Sequence, residues 1–164
     1  MRKTQRVCSI VLFLMCFGLS AQDTSIINLQ LGIGGSIQGT KIKTPALYGS
    51  YEYFVSERLS LGGLLGYSTL SFSTLDYGDD GAEETEEKTS NINIGGLVNY
   101  YFGTSDTLNL YMGGGFGYGS GLIGGFLYEM HAGARYALSD SLALNSELGF
   151  GASLLKLGVS FNID

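Results

Sequence analysis

Leu155-Lys156-Leu157-Gly158-Val159-Ser160-Phe161-Asn162-Ile163 alternates with a period of two: Leu155, Leu157, Val159, Phe161 and Ile163 fall on one face, and Lys156, Gly158, Ser160 and Asn162 on the other. Successive side chains of a β-strand point to opposite faces, so this stretch reads as a strand with one apolar and one polar side. Near the other end of the chain the pattern returns, with Ile27, Leu29, Leu31 and Ile33 set against Asn28, Gln30, Gly32 and Gly34. Between these two, alternation recurs throughout, and no stretch sustains the 3.6-residue period of an amphipathic helix. Eight strands are predicted, near 25–38, 46–55, 59–73, 90–102, 107–118, 126–138, 141–150 and 154–163.

The connections alternate in length. Those at Ser56-Glu57, Thr104 to Asp106 and Ser139-Asp140 are tight, whereas those at 39–45, 74–89 and 119–125 are longer. Short turns at one end and longer loops at the other are what an up-and-down transmembrane barrel produces. A weak internal repeat agrees: YFVSERLSL at 53–61 aligns with YALSDSLAL at 136–144, and YFGTSDTLNL at 101–110 aligns with one insertion. Each copy straddles a tight turn and places aromatic residues at the rim, where an interfacial belt is expected.

Charge decides which face is wet. Within the predicted strands the ionisable side chains Glu52, Glu129, His131, Arg135, Glu147 and Lys156 all share the face that carries Gly, Ser and Asn. A charge on a lipid-facing strand costs ~2–4 kcal/mol near mid-bilayer. The consistent assignment is therefore lipid outside and a polar network of these six residues inside, the reverse of a soluble barrel. The expectation is an all-β, closed, eight-stranded antiparallel up-and-down transmembrane β-barrel.

Two pairings follow from this frame. Glu52 and Arg135 occupy the same position in the repeat, five residues before Glu57 and Asp140, on strands two and six, which face each other across an eight-stranded barrel. A turn centred between Gly151 and Ala152 sets Glu147 opposite Lys156.

The start of the chain is of another kind. Arg2, Lys3 and Arg6 precede an apolar run from Val7 to Leu19 that ends in small residues, the pattern of a secretory signal peptide. Removal after Ala21 is expected, leaving residues 22–164 as the barrel domain. Both cysteines, Cys8 and Cys16, lie in the leader, so no disulfide framework is expected. Losing three of nine basic residues leaves six against fifteen acids, a net charge of −9, which disfavours nucleic acid as a partner. Twenty-five of the 26 glycines remain beyond the leader, with a single proline; glycine costs about 1 kcal/mol against alanine in a helix interior, so helices are not expected.

Three local motifs are weaker. Gly119, Gly121 and Gly124 match a dinucleotide fingerprint in spacing, but strands flank them where a βαβ unit is required. Asp76, Asp80, Gly81, Glu84 and Glu87 match positions of a calcium loop in part, with Gly78 at a ligand position and no flanking helices, so at most a weak divalent-cation site is expected, and no cofactor or catalytic residue is assigned. His131, the only histidine, lies two residues from Glu129 on one face; a catalytic role requires a nucleophile beside it.

These strands, the YF…S-D/E-x-L-x-L turns and the closing LKLGVSFNID resemble the small outer-membrane barrels of the OmpA transmembrane-domain and OmpX type, including the porin-family proteins of Bacteroidota. The resemblance implies a Gram-negative cell envelope, the outer-membrane bilayer as surroundings and the barrel assembly machinery as a partner through the C-terminal strand. It differs in ending Phe161-Asn162-Ile163-Asp164 rather than on an aromatic residue. A non-enzymatic structural or surface-interaction role is expected, with a narrow channel and a lipid-modifying enzyme as alternatives, and a ligand for the acidic outer loop left open.

Overall fold

The computed structural model describes residues 24–34, 36–37, 40–78, 81–105, 107–120, 125–151 and 153–163. Eight long strands run up and down in chain order: β1 (Ser25–Ile33), β2 (Thr40–Ser56), β3 (Leu59–Gly78), β4 (Gly81–Thr104), β5 (Leu108–Ser120), β6 (Gly125–Ala137), β7 (Leu142–Phe150) and β8 (Leu155–Ile163). A two-residue strand, Ser36–Ile37, folds onto Thr40 and Lys41 at the top of the β1–β2 hairpin. Each strand pairs antiparallel with the next, and β1 pairs with both β2 and β8, which closes the sheet into a barrel. Closure matters because an open edge would leave backbone N–H and C=O groups unpaired in lipid. Ser25 stands opposite Ile163, so both ends of the barrel strands meet at one rim.

Alternation holds all round the wall. On β1 the residues Asn28, Gln30 and Gly32 are buried, while Leu29, Leu31 and Ile33 are exposed. The outer surface carries the large apolar side chains, among them Ile94, Phe126 and Leu148, each about two-thirds exposed at 64%, 66% and 64%. Inside lie Asn, Ser, Glu, His, Arg and Lys. The single proline, Pro45, falls where β2 and β3 shift register between Lys43 and Leu47, a break that tolerates a residue without a backbone N–H.

The structure differs from the sequence reading in three places. Residues 40–45, expected in a connection, belong to β2, where Ile42 and Lys43 pair with Leu70 and Thr69. Residues 74–89 are not a loop: β3 and β4 stay paired through Asp76↔Glu83 to Gly78↔Gly81, extending the hairpin beyond the last β4–β5 pair at Ile92↔Ser120. Thr74, Thr85 and Thr89 supply β-propensity there, which the acidic composition obscured. The rim aromatics also divide: Phe102 and Tyr136 face outward, but Phe54 and Tyr101 are buried in the lumen with rings 5.0 Å apart. Adjacent residues of a strand cannot share a face, so an aromatic pair sends only one ring to the interface. The expected leader and its cleavage position lie outside the described residues, as do Asp80 and the glycines at 121 and 124.

Candidate functional site

All six ionisable residues singled out from the sequence stand inside the barrel, and the structure joins them into one network to which every strand contributes. The lower part centres on Glu52 of β2. Arg135 Nη2, on β6, lies 2.6 Å from Glu52 Oε1. Asn28 Nδ2 of β1 donates to the same oxygen at 2.7 Å. Ser60 Oγ of β3, Asn99 Nδ2 of β4 and Tyr101 OH of β4 donate to Oε2 at 2.7, 2.9 and 2.8 Å. A carboxylate has about four lone-pair sites, so Glu52 is saturated. Arg135 is equally occupied: Nη1 donates to Tyr101 OH, Nε donates to Ser160 Oγ of β8 at 3.1 Å, and the guanidinium lies 4.8 Å from the Tyr111 ring centre.

The upper part centres on Lys156 of β8, whose Nζ donates to both Glu129 oxygens at 3.0 Å and stands 3.4 Å from Glu147 Oε2. Glu147 and Lys156 are directly opposed in the β7–β8 register. Tyr111 OH of β5 donates to Glu147 Oε1 at 2.8 Å. The two parts touch through His131, which is hydrogen-bonded to Asn99 Oδ1 through Nε2 at 2.8 Å and faces Glu129 Oε1 through Nδ1 at 3.6 Å.

Sequence reasoning found the charges and missed most of their neutral partners: Asn28, Ser60, Asn99, Tyr101, Tyr111, Asn145 and Ser160. The polar ones share the inward face, so period-2 alternation was the available signal. Inward aromatics were harder, because an aromatic residue also suits the lipid face.

Rings fill the remaining space. Tyr111 packs against Tyr101 with centroids 5.2 Å apart, and Ile26, Phe54, Tyr101 and Tyr111 form one buried cluster. Higher up, Tyr48 OH accepts from Ser153 Oγ, 3.0 Å away, and its ring lies 5.0 Å from Lys156 Nζ. Gly66 makes room for it: a Cβ there would stand 2.8 Å from Tyr48 Cε1. A cavity of about 20 Å³ remains among Gln30, Asn99, Glu129, His131, Glu147 and Lys156, enough for one or two water molecules. Among the described residues no group of three or more His, Cys, Asp or Glu is placed to hold a metal ion. His131 Nε2 meets an amide oxygen, not a serine hydroxyl.

A closed antiparallel barrel with an apolar outside and an ion-paired polar inside is a transmembrane β-barrel, because only a hydrocarbon surrounding favours that inversion. Comparison with known families agrees. The chain belongs to the Outer membrane protein beta-barrel domain family, whose model matches residues 9–156, and its place is accordingly the outer membrane. Solved structures share the fold. The N-terminal β-barrel domain of Pseudomonas aeruginosa OprF aligns with a TM-score of 0.56 at 18% identity, covering 88% of this chain and 100% of that one. A de novo designed transmembrane β-barrel gives 0.56 at 21% identity with the same coverage. The Yersinia pestis outer membrane protein Ail gives 0.50 at 12% identity, covering 87% of this chain and 100% of that one. No curated protein matches the sequence significantly.

Proposed function

We propose that this chain is a non-enzymatic integral outer-membrane protein with a structural or surface-interaction role, exported through residues 1–21 and presenting its longer connections outside the cell. The observation that carries the reading is the lumen itself. It is crossed by the Glu52–Arg135 contact and occupied by the packed, mutually tilted rings of Phe54, Tyr101 and Tyr111, and an eight-stranded barrel is about wide enough for side chains to fill it. This disfavours a diffusion channel. The engagement of His131 by Asn99, inside the barrel, disfavours a lipid-modifying enzyme, which needs a nucleophile at that ring nitrogen and access from the bilayer.

The β3–β4 hairpin gives the surface role its most prominent feature, since its paired backbone continues past the barrel wall and its sequence, DYGDDGAEETEEK at 76–88, is strongly acidic. A basic or cation-bridged extracellular partner suits that composition. The barrel assembly machinery is the second proposed partner, engaging β8, where Phe161 faces outward.

The deciding experiment reconstitutes the purified barrel in planar bilayers and in lipid vesicles, recording conductance and lipid composition by mass spectrometry. Silent bilayers and unchanged lipids support the reading. Steady conductance, or lipid turnover lost in His131→Ala, replaces it with the channel or the enzyme.

A further inference from the structure

We infer that Lys41, Lys43 and Lys88, which the strand register brings together on the outer face of β2 and β4 at the upper rim, form a docking site for the phosphate-bearing headgroups of outer-leaflet lipids. The leaflet follows from the orientation already proposed, with the longer connections outside the cell. Six basic residues lie beyond the leader. Arg135 and Lys156 are buried in the lumen, and Arg58 stands at the tight turn between β2 and β3 on the opposite rim. The remaining three all fall in one sector of the wall.

Register decides the face. Residues directly opposite in an antiparallel pair share a face of the sheet. Lys43 stands opposite Thr69, and Thr69 opposite Ser90. Ser90 is exposed, whereas its chain neighbour Asn91 and the opposing Ser68 are buried in the lumen, so that row lies on the outer face. Lys41 is two residues from Lys43 on β2, and Lys88 is two from Ser90 on β4, opposite Ser71. A period of two keeps both on the outer face.

Depth selects the ligand. Ascending the outer face, β3 carries Leu61, Leu65 and Tyr67 before Thr69 and Ser71, and β4 carries Ile94 and Ile92 before Ser90 and Lys88. The Tyr67 hydroxyl meets Ser90 Oγ at 3.0 Å, and a half-exposed tyrosine ending an apolar column marks the edge of the hydrocarbon. At a rise of about 3.3 Å per residue and a tilt of roughly 40°, the Lys43 row stands about 5 Å above Tyr67 and the Lys88 row about 10 Å above it. The headgroup layer beyond the hydrocarbon is about 5–7 Å deep, so the two rows bracket its outer part. A lysine on the lipid face is costly at mid-bilayer and tolerated at this level. Three of them across neighbouring strands attract anionic headgroups. The same face turns acidic higher up, with Glu86 opposite Ser73 and Glu84 opposite Leu75, which repels phosphate and bounds the patch from above. By contrast, β5, β6 and β7 place Tyr118, Phe126 and Phe150 on the outer face near their upper ends, each more than half exposed.

The test uses the purified full barrel in detergent micelles, with native mass spectrometry counting bound lipid. The probe is diphosphorylated lipid A, compared with the same lipid stripped of its phosphates. Wild type is expected to bind the phosphorylated form at least about tenfold more tightly; each of Lys41→Gln, Lys43→Gln and Lys88→Gln should weaken it about fivefold, and the triple variant on the order of a hundredfold. Arg58→Gln, at the other rim, should change nothing, and heat-modifiable migration on gels checks that each variant is folded. Equal affinity of wild type for the two lipids overturns the site, as does a folded triple variant that binds like wild type. Inorganic phosphate or poly-glutamate bound as tightly as the lipid also overturns it, by showing a general anion patch or a place for an acidic protein. Orientation is read separately. No cysteine lies beyond the leader, so Thr85→Cys on the β3–β4 hairpin is expected to react with a membrane-impermeant maleimide in intact cells. Labelling without lipid selectivity sinks the site alone, whereas micelle binding with labelling only in broken cells sinks the orientation and the outer leaflet with it.

Discussion

Glu52 and Arg135, 83 residues apart in sequence, meet across the middle of the barrel with Oε1 and Nη2 2.6 Å apart and side chains 1% and 3% exposed. The contact ties β2 to β6 and brings two strands that share no backbone hydrogen bond into one unit. A buried pair need not stabilise relative to apolar replacements, but removing one partner strands the other, at a cost of ~3–5 kcal/mol. Arg135→Ala is expected to destabilise by that amount, and Glu52→Gln with Arg135→Gln to cost less than the sum of the single changes. Urea unfolding of the four proteins in lipid vesicles measures the coupling; strict additivity would contradict the contact.

Among the described residues Lys156 is the sole fixed cation between the two carboxylates Glu129 and Glu147. Lys156→Ala is expected to cost several kcal/mol, because two acids then face each other unscreened. Adding Glu129→Gln to that variant should recover part of the loss. The same vesicle assay reads both, and a double variant weaker than Lys156→Ala alone would show that Glu129 is held by other groups.

The outward apolar belt predicts an unusual mutational response. Leu29 is half-exposed in β1, and on a water-soluble protein an exposed Leu→Arg change is nearly neutral. In a bilayer the same change costs ~2–4 kcal/mol. Leu29→Arg should therefore reduce the folded fraction recovered from outer membranes, seen as loss of the heat-modifiable band on denaturing gels run without boiling. A variant as stable as wild type would place that face in water.

How much of this was legible follows from what the residues report. Leu155 to Ile163 declared its two faces because every apolar residue lay on one side, and β8 is placed as that pattern requires. The inward position of Glu52 and Arg135 was legible because lipid excludes charge from the other face. The β3–β4 extension was not, since Glu83 to Lys88 lack apolar alternation and are held as strand only by pairing with residues 71–76. Nor was the lumen position of Tyr111, or of Tyr101, which the repeat placed among the rim aromatics: a tyrosine suits both a membrane interface and a lumen, and only the position of its neighbours distinguishes them.

Conductance follows from the filling. With Phe54, Tyr101 and Tyr111 packed together in the lumen, wild-type barrels in planar bilayers should show no steady open state. Tyr101→Ala removes a ring and a ligand of both Glu52 and Arg135, so brief openings are expected from it where wild type has none. Equal silence in both would mean that the remaining side chains close the lumen by themselves.

Gly133 gives the most local test of how the interior is packed. It pairs with Tyr111 across the β5–β6 register and with Glu147 across β6–β7. The Tyr111 ring lies close against it, so a Cβ added at Gly133 would stand 2.7 Å from Tyr111 Cε2. The ring has little room to move: it is wholly buried, its hydroxyl is fixed on Glu147 at 2.8 Å, and the Arg135 guanidinium lies over it at 4.8 Å. Gly133→Ala must therefore displace the ring and disturb both halves of the ion-pair network at once, an overpacking cost of about 1–3 kcal/mol. Tyr111→Phe keeps the ring and removes one hydrogen bond to a charged acceptor, a loss of about 1.5–3 kcal/mol. The decisive comparison is Tyr111→Ala made alone and together with Gly133→Ala. Once the ring is gone, the added methyl group meets open space, so the second change should cost little or nothing in that background, although it is harmful in wild type. Unfolding free energies that add simply would show that the ring does not rest on Gly133.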